Sequence, residues 1–358
     1  MNPYIFREYD IRGVVEKDFP EEVVINLGKA FGTYVREKGG KTLSLSGDVR
    51  ISTPMLKKAF AKGLMAAGVD VIDVGIVPTP VNYYSMFILD VDGAVQITGS
   101  HNPSDMNGIK LSFDKKAVYG KDIQYLKSII EKDAYATGSG NFTEKEILED
   151  YKQMVISKIK LDRPVKLVMD CGNATAGLVA PDIYKAIGCD VTELYSEVDG
   201  TFPNHHPDPT VKKNLTDLIA EVKKGGYDFG IAFDGDADRV GIVDDRGEII
   251  FADYIMILML DEIFEKYPGT GVVFDVKCSQ ALEERIVEKG GKPIMWKTGH
   301  SLIKQKMKDE GLPFSGEMSG HIFIKDEYFG YDDAIYVGTR FRRVWHGCRS
   351  IFPLPKCA

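Results

Sequence analysis

The sequence predicts an α/β protein built from three repeats of one plan, each domain a mixed, mostly parallel sheet between helices. Two observations carry this. The chain has 358 residues, more than a single core comfortably fills. The order strand, helix, strand, then strand–loop–strand recurs three times, each copy delivering a glycine-containing polar loop.

The first copy opens with TLSLSGDVR, continues through a helix over 54–67, then DVIDVG, and closes on QITGSHNPSDMNGIKLSF. The helix follows from Leu56, Phe60 and Leu64 on one face and from Gly68 as its stop. The second copy opens with VKLVMDCGNATAG, runs through a helix ended by Gly188 and a strand DVTELY, and closes on FGIAFDGDADRVGIVDD. The third runs GVVFDVKCS, ALEERIVEKGG (stopped at Gly290), KPIMWKTG and FSGEMSGHIFIKD. Strand–helix–strand order favours parallel pairing, and the return through a tight loop adds an antiparallel member. The expected domains are 1–145, 146–252 and 253–340, followed by an atypical tail, 341–358. Side by side, the three loops would line one cleft.

Composition narrows the class. Hydrophobic content of 44% and charged content of 27% are ordinary for a soluble protein. The net charge of −8 and the lack of basic runs argue against nucleic acid or a membrane surface as partner. No signal peptide is visible, and the most apolar run, Tyr254 to Leu260, falls far short of the ~20 residues that span a bilayer. Five scattered cysteines suit free thiols in a reducing cytoplasm.

The second loop is the most legible chemically. DGDAD places Asp234, Asp236 and Asp238 at alternate positions between two strands. Carboxylates this close repel, and oxygen-only ligands suit Mg²⁺, Mn²⁺ or Ca²⁺. An EF-hand is excluded, since Arg239 stands where its glycine should be and strands flank the loop. Arg239 is a candidate phosphate clamp.

In the first loop, Ser100 adjoins His101. Adjacent residues of an extended chain point opposite ways, so this pair is not by itself a hydrolase dyad. Read alone, Ser100 is equally a turn residue. Lys110, on the return strand, is expected near its hydroxyl. In the third loop, GEMSGH sets Glu317, Ser319 and His321 at alternate positions, which share one face if the segment is extended. Carboxylate, hydroxyl and imidazole suit sugar hydroxyls. Lys277 and His300 sit in the other loops of that copy; a lone lysine is usually a solvated residue and a lone histidine structural. FREYDIRG, with Tyr9 and Arg12, is either a segment that closes over phosphate or a solvated arm. Arg50, after the first strand, either binds an anion or holds a neighbouring carboxylate.

Together, NPYIFREYDIRG, TGSHNP, DGDADR and GEMSGH resemble the α-D-phosphohexomutase superfamily in order and spacing, most closely its bacterial phosphomannomutase/phosphoglucomutase branch, over residues 1 to 338. The resemblance implies an intramolecular phosphotransferase interconverting mannose or glucose 1-phosphate and 6-phosphate. Its cycle would run through a phosphoserine at Ser100 and a hexose 1,6-bisphosphate, which also serves as activator. It implies Mg²⁺ held by Asp234, Asp236, Asp238 and the phosphorylated Ser100. It places Glu317 and Ser319 on sugar hydroxyls and His321 in support of their loop. Arg12, Lys110, Arg239, Lys277 and His300 would surround the transferring phosphate, Tyr9 would join the sugar cleft, and Lys110 or His300 would serve as general acid or base. A phosphorylated hexose is the expected partner and a monomer the expected state. Competing classes are a metal-dependent sugar phosphatase and a non-catalytic sugar-phosphate-binding protein.

One departure stands out. The family has a fourth, α+β domain whose Arg-, Ser-, Asn- and Thr-rich loop clamps the distal phosphate, and no part of this sequence matches it. From Arg340 to Ala358 there are five basic residues and no acidic one, and Pro353 and Pro355 stand where a helix should continue. A truncation or frameshift near Arg340 is the expectation.

Overall fold

The computed structural model describes residues 1–160 and 163–345; the tail from 346 lies outside the described residues. Three sheets follow one another along the chain.

The first sheet has the order Ile11–Val14, Met106–Phe113, Gly93–Ile97, Thr42–Gly47, Asp70–Ile76, Phe142–Glu144, with Lys116–Ala117 paired to Met106–Phe113. The second runs Ile249–Ile250, Val240–Asp244, Phe229–Phe233, Val165–Asp170, Cys189–Leu194. The third runs Lys292–Trp296, Gly271–Asp275, Phe314–Gly316, Ile322–Ile324. The predicted strand–loop–strand closures are the antiparallel pairs Gly93–Ile97/Met106–Phe113, Phe229–Phe233/Val240–Asp244 and Phe314–Gly316/Ile322–Ile324. The sheets are more evenly mixed than expected: parallel and antiparallel pairings are equal in number in the first two. The cause is extra strands added through short returns at the edges.

Two of those additions lie where the sequence reads as arm and linker. Residues 11–14 form an edge strand, with Arg12 opposite Gly108. The linker-like stretch after Tyr135 contributes Phe142–Glu144 to the other edge. The helix carrying Leu56, Phe60 and Leu64 spans Thr53–Ala66 and buries all three. Gly68, Gly188 and Gly290 each follow a helix with a positive φ, the backbone region that glycine occupies without Cβ strain.

The helix Thr79–Ile88 has no counterpart in the sequence reading. Eight of its residues are buried, so it shows no amphipathic period; it is wedged between domains. Its Tyr83, Tyr84 and Met86 belong to one continuous core that runs through the second sheet into the third domain. The last helix, Ala334–Trp345, completes that core by crossing onto the second domain. Phe341 is fully buried with its ring 5.5 Å from that of Phe229. Arg340 is buried and bridges Glu262 and Asp326 at 2.7 and 2.8 Å. Packing continues through Arg340, and the helix carries on to Trp345. No helix among the described residues is long and apolar enough to cross a membrane.

Asp333, just before this helix, knits the domains together. Its carboxylate accepts hydrogen bonds from Tyr151 (2.8 Å), Tyr328 (2.5 Å) and the Tyr336 amide (2.9 Å). Burial raises its pKa to about 6 against these three donors and the Ile335 amide, which oppose the rise. A carboxyl whose folded pKa exceeds its unfolded one favours the fold most at low pH, and that contribution disappears as pH rises through the folded value. Asp333→Asn, which cannot ionise, should therefore gain on the native protein by up to about 3 kcal/mol between pH 4 and 7. Urea unfolding of both proteins across that range checks it; a constant difference would refute the assignment.

Candidate active site

The closing loops of the first two copies meet directly. Asp234, Asp236 and Asp238 are fully buried, and one oxygen from each lies within 4.8 Å of the others. Ser100 is buried against them, its hydroxyl donating to Asp234 Oδ2 at 2.7 Å. The loops are in van der Waals contact: a Cβ on Gly235 would lie 2.4 Å from the Ser100 carbonyl oxygen.

Three buried carboxylates require positive charge. Lys110, brought in from the return strand, bridges Asp236 at 2.6 Å and also pairs with Asp238. Burial works against its ammonium, but the two carboxylates outweigh burial and hold its pKa well above the ordinary value. Burial likewise works against ionised Asp236, and Lys110, with the Thr79 and Ser100 hydroxyls, overcomes it and holds this carboxyl below its usual range. Thr79 starts the unforeseen helix and donates to Asp236 at 2.6 Å. Asp234 is shifted the other way: burial and its two acidic neighbours raise it well above the usual range. Its Oδ1 accepts the Asp238 and Arg239 amides at 3.1 Å. Arg12 sits on the edge strand beside these acids and pairs with Asp10.

Ser100 has φ 48°, a left-handed backbone rare for a residue with a side chain. The expectation that the Ser100 and His101 side chains diverge fails for that reason. The backbone turns back, and His101 Nδ1 lies 3.1 Å from the serine oxygen. Burial, with Arg239 and Arg12 nearby, pushes His101 down to about 2, so its imidazole is neutral.

Arg50 resolves in favour of the neighbouring carboxylate. It is 1% exposed and pairs with Asp48, and its guanidinium donates to the carbonyls of Ser100 (2.8 Å), Asn102 (2.6 Å), Pro103 (2.6 Å) and Met106 (3.0 Å). This one side chain gathers the inward-facing carbonyls of the serine loop. Asp48 in turn accepts the Thr98 hydroxyl and the Gly99 amide.

In the third domain, GEMSGH is a tight turn, so the extended geometry that would put its three side chains on one face is not met. Gly320 has φ 95°, and the Glu317 amide donates to the His321 carbonyl at 2.8 Å, closing the turn. Glu317 and Ser319 still meet at 3.2 Å, and Glu317 also accepts the Gly299 amide. His321 points elsewhere: it accepts from Arg239 Nε at 3.0 Å, lies 3.0 Å from Asp332 Oδ2, and stacks on His300 at 5.1 Å. Burial holds His300 below its ordinary value despite Asp332 at 3.5 Å. Asp332 is itself anchored by Lys304 at 2.7 Å. Tyr9 reaches across from the N-terminal segment, donating to the Thr298 carbonyl at 2.8 Å with its ring edge toward His300. Lys277 is exposed and makes no ion pair among the described residues, so its placement with the others rests on the family resemblance alone.

Thr79, Asp48 and Asp332 escaped the sequence reading. Thr79 and Asp332 stand beside segments whose burial is a tertiary property; Asp48, one residue past a strand, had a signal in the Asp-x-Arg spacing to Arg50.

Residues 3–136, 137–247 and 251–345 match the phosphoglucomutase/phosphomannomutase alpha/beta/alpha domains I, II and III in turn. The chain belongs to this family. It is thereby a phosphohexomutase, an isomerase. It is 46% identical over 340 residues to the phosphomannomutase/phosphoglucomutase of Pseudomonas putida, covering 95% of this chain and 73% of that protein. It is 44% identical over 342 residues to a phosphoglucomutase of Neisseria meningitidis, covering 95% of this chain and 74% of the relative. A crystal structure of a phosphoglucomutase/phosphomannomutase family protein from Burkholderia thailandensis superposes with a TM-score of 0.93 at 44% identity, over 97% of this chain and 80% of that one.

Arg50 yields a prediction. Arg50→Met leaves Asp48 buried without its partner and strips four carbonyls of their donor, so it should destabilise the protein by about 3–5 kcal/mol. Arg50→Lys should recover only part of that, because an ammonium cannot replace the planar fork. Urea denaturation midpoints of the two variants provide the measurement, and a Lys variant equal to the native protein would overturn this account.

Proposed function

We propose that this phosphohexomutase interconverts the 1- and 6-phosphates of mannose or glucose, with Ser100 carrying the phosphoryl group between them. The observation that carries the reading is the seating of a buried serine hydroxyl 2.7 Å from one of three converging carboxylates. Such a pocket disfavours an unaccompanied anion and suits one delivered together with a cation.

The acidic loop fits a hard divalent cation, Mg²⁺ in this reading. Asp236 Oδ1 and Asp238 Oδ1 are buried and have no hydrogen-bond partner among the described residues, which leaves two oxygens available for coordination. Asp234, Asp236 and Asp238 would hold the ion, with an oxygen of phosphorylated Ser100. When bound, it neutralises charge on the phosphoryl oxygens. Lys110 holds the other oxygens, Asp236 Oδ2 and Asp238 Oδ2, so its ammonium stays beside the site and adds positive charge next to the serine loop.

In the forward half-reaction a sugar hydroxyl oxygen attacks the phosphoserine phosphorus. The new O–P bond forms as the bond to Ser100 Oγ breaks, and the hydroxyl proton passes to a basic group. Neutral His300 can take it, its pKa being depressed by burial, whereas Asp236 and Asp238 keep Lys110 an ammonium that can only donate. Arg12 and Arg239 supply fixed positive charge as the phosphoryl group crosses, and need not move to do so. Glu317 and Ser319 would accept and donate to sugar hydroxyls. The product is a hexose 1,6-bisphosphate, which turns over in the cleft and returns its other phosphate to Ser100.

Ser100→Ala should lower mannose 1-phosphate conversion by on the order of a thousandfold or more in an assay supplied with Mg²⁺ and hexose 1,6-bisphosphate. Full activity in that variant would sink the mechanism. Release of free phosphate in place of the 6-phosphate would favour a phosphatase, and sugar-phosphate binding without either reaction a binding protein.

A further inference from the structure

A cavity of about 200 Å³ lies between the first and third domains. Its walls are aromatic and its rim is cationic. Tyr83 and Phe87 come from the helix Thr79–Ile88, and Phe329 and Tyr331 from the segment leading to the last helix. The rings form one packed surface, with Phe87 4.5 Å from Phe329 and Tyr83 5.4 Å from Tyr331. Lys115, Lys304, Lys308 and Lys325 line the same space, and no carboxylate does.

Lys304 pairs with Asp332, and Asp114 and Asp309 stand near Lys308, but none of these carboxylates lines the cavity. Lys115, Lys308 and Lys325 make no ion pair among the described residues, although the chain as a whole is acidic. Lys115 Nζ lies 4.7 Å above the Phe87 ring and Lys304 Nζ 4.2 Å above that of Tyr83, so two ammonium groups already rest on aromatic faces. Partial burial, with Lys116 and Lys325 nearby, holds Lys308 below the ordinary lysine value against the opposing pull of Asp114 and Asp309. Lysines crowded around an apolar hollow repel one another, and an anion placed there relieves them.

We infer that this cavity binds a small aromatic anion, one ring carrying one phosphate or carboxylate, with the ring against Phe87, Phe329 and Tyr331 and the acidic group among the lysines. The volume is below the ~300 Å³ at which drug-sized pockets begin, which limits the occupant to about one ring. The apolar walls disfavour a free inorganic ion, which would lose hydration without gaining contact. The site is distinct from the cleft at Ser100 but shares a wall with it. Lys304 faces the cavity, and its ammonium also holds Asp332, which in turn meets His300 and His321.

Phenyl phosphate is the probe, titrated into the intact chain with glucose 1-phosphate saturating. Binding is read by calorimetry and by the methyl resonances of Met86 and Met307, which line the cavity. The expected result is binding that shifts both methionine signals. Inorganic phosphate (charge without ring) and benzyl alcohol (ring without charge) should each bind at least about tenfold more weakly. Lys308→Glu/Lys325→Glu changes two exposed residues and should keep the native melting temperature while weakening phenyl phosphate at least about tenfold. Lys325→Glu alone provides a milder check should the pair misfold. The inference is overturned by equal affinity in native and variant proteins, by inorganic phosphate binding as tightly as phenyl phosphate, by unmoved methionine signals, or by no binding at millimolar probe. None of these outcomes depends on whether Ser100 carries phosphate.

Discussion

The burial of three carboxylates in a single turn is the constraint from which the rest of the site follows. Asp234, Asp236 and Asp238 are each fully buried, and like charges so placed are tolerable only with fixed compensation. The chain supplies it from both sides. Lys110 is delivered by the strand returning from the serine loop, Thr79 by the start of a buried helix, and the turn's own amides are aimed at Asp234. Lys110 and Thr79 come from the first domain. The second domain's acidic loop can therefore be stable only while the first is docked against it, and docking is what presses the serine loop onto the acids.

The third domain joins this arrangement through consecutive residues with different tasks. Asp332 turns toward His300, His321 and Lys304. Asp333 turns the other way, into a cage of tyrosine hydroxyls. Ala334 then donates its amide to the Ala237 carbonyl inside the acidic loop, and the helix that begins there packs on the second sheet. Site electrostatics and interdomain packing are thus coupled over three residues of backbone. A displacement of the last helix would be felt at the acidic loop without crossing any solvent gap.

The repeated plan, the closing hairpins and the three polar loops were legible because period and turn chemistry are local properties. Asp234, Asp236 and Asp238 were legible because their alternation has few structural uses. What escaped depends on neighbours distant in sequence. The helix Thr79–Ile88 is buried nearly all round and so carries no amphipathic signature. The strand carrying Arg12 left two readings open, phosphate-closing segment or solvated arm, because an edge strand of four residues has too few positions to show alternation. Arg50 offered two readings, and only the proximity of loop carbonyls, fifty and more residues on, decides between them. The alternate spacing of Glu317, Ser319 and His321 puts them on one face only in an extended chain, whereas Gly320 folds the segment into a turn. As a result, imidazole and carboxylate serve different neighbours.

The left-handed backbone at Ser100 has a consequence of its own. Threonine offers the same hydroxyl and the same nucleophilic chemistry, and in many settings the two residues are exchangeable. At φ 48° a β-branched side chain is tolerated far less than serine's, inside a loop whose carbonyls are already gathered onto Arg50. Main-chain stereochemistry therefore favours serine over threonine at this position independently of reactivity.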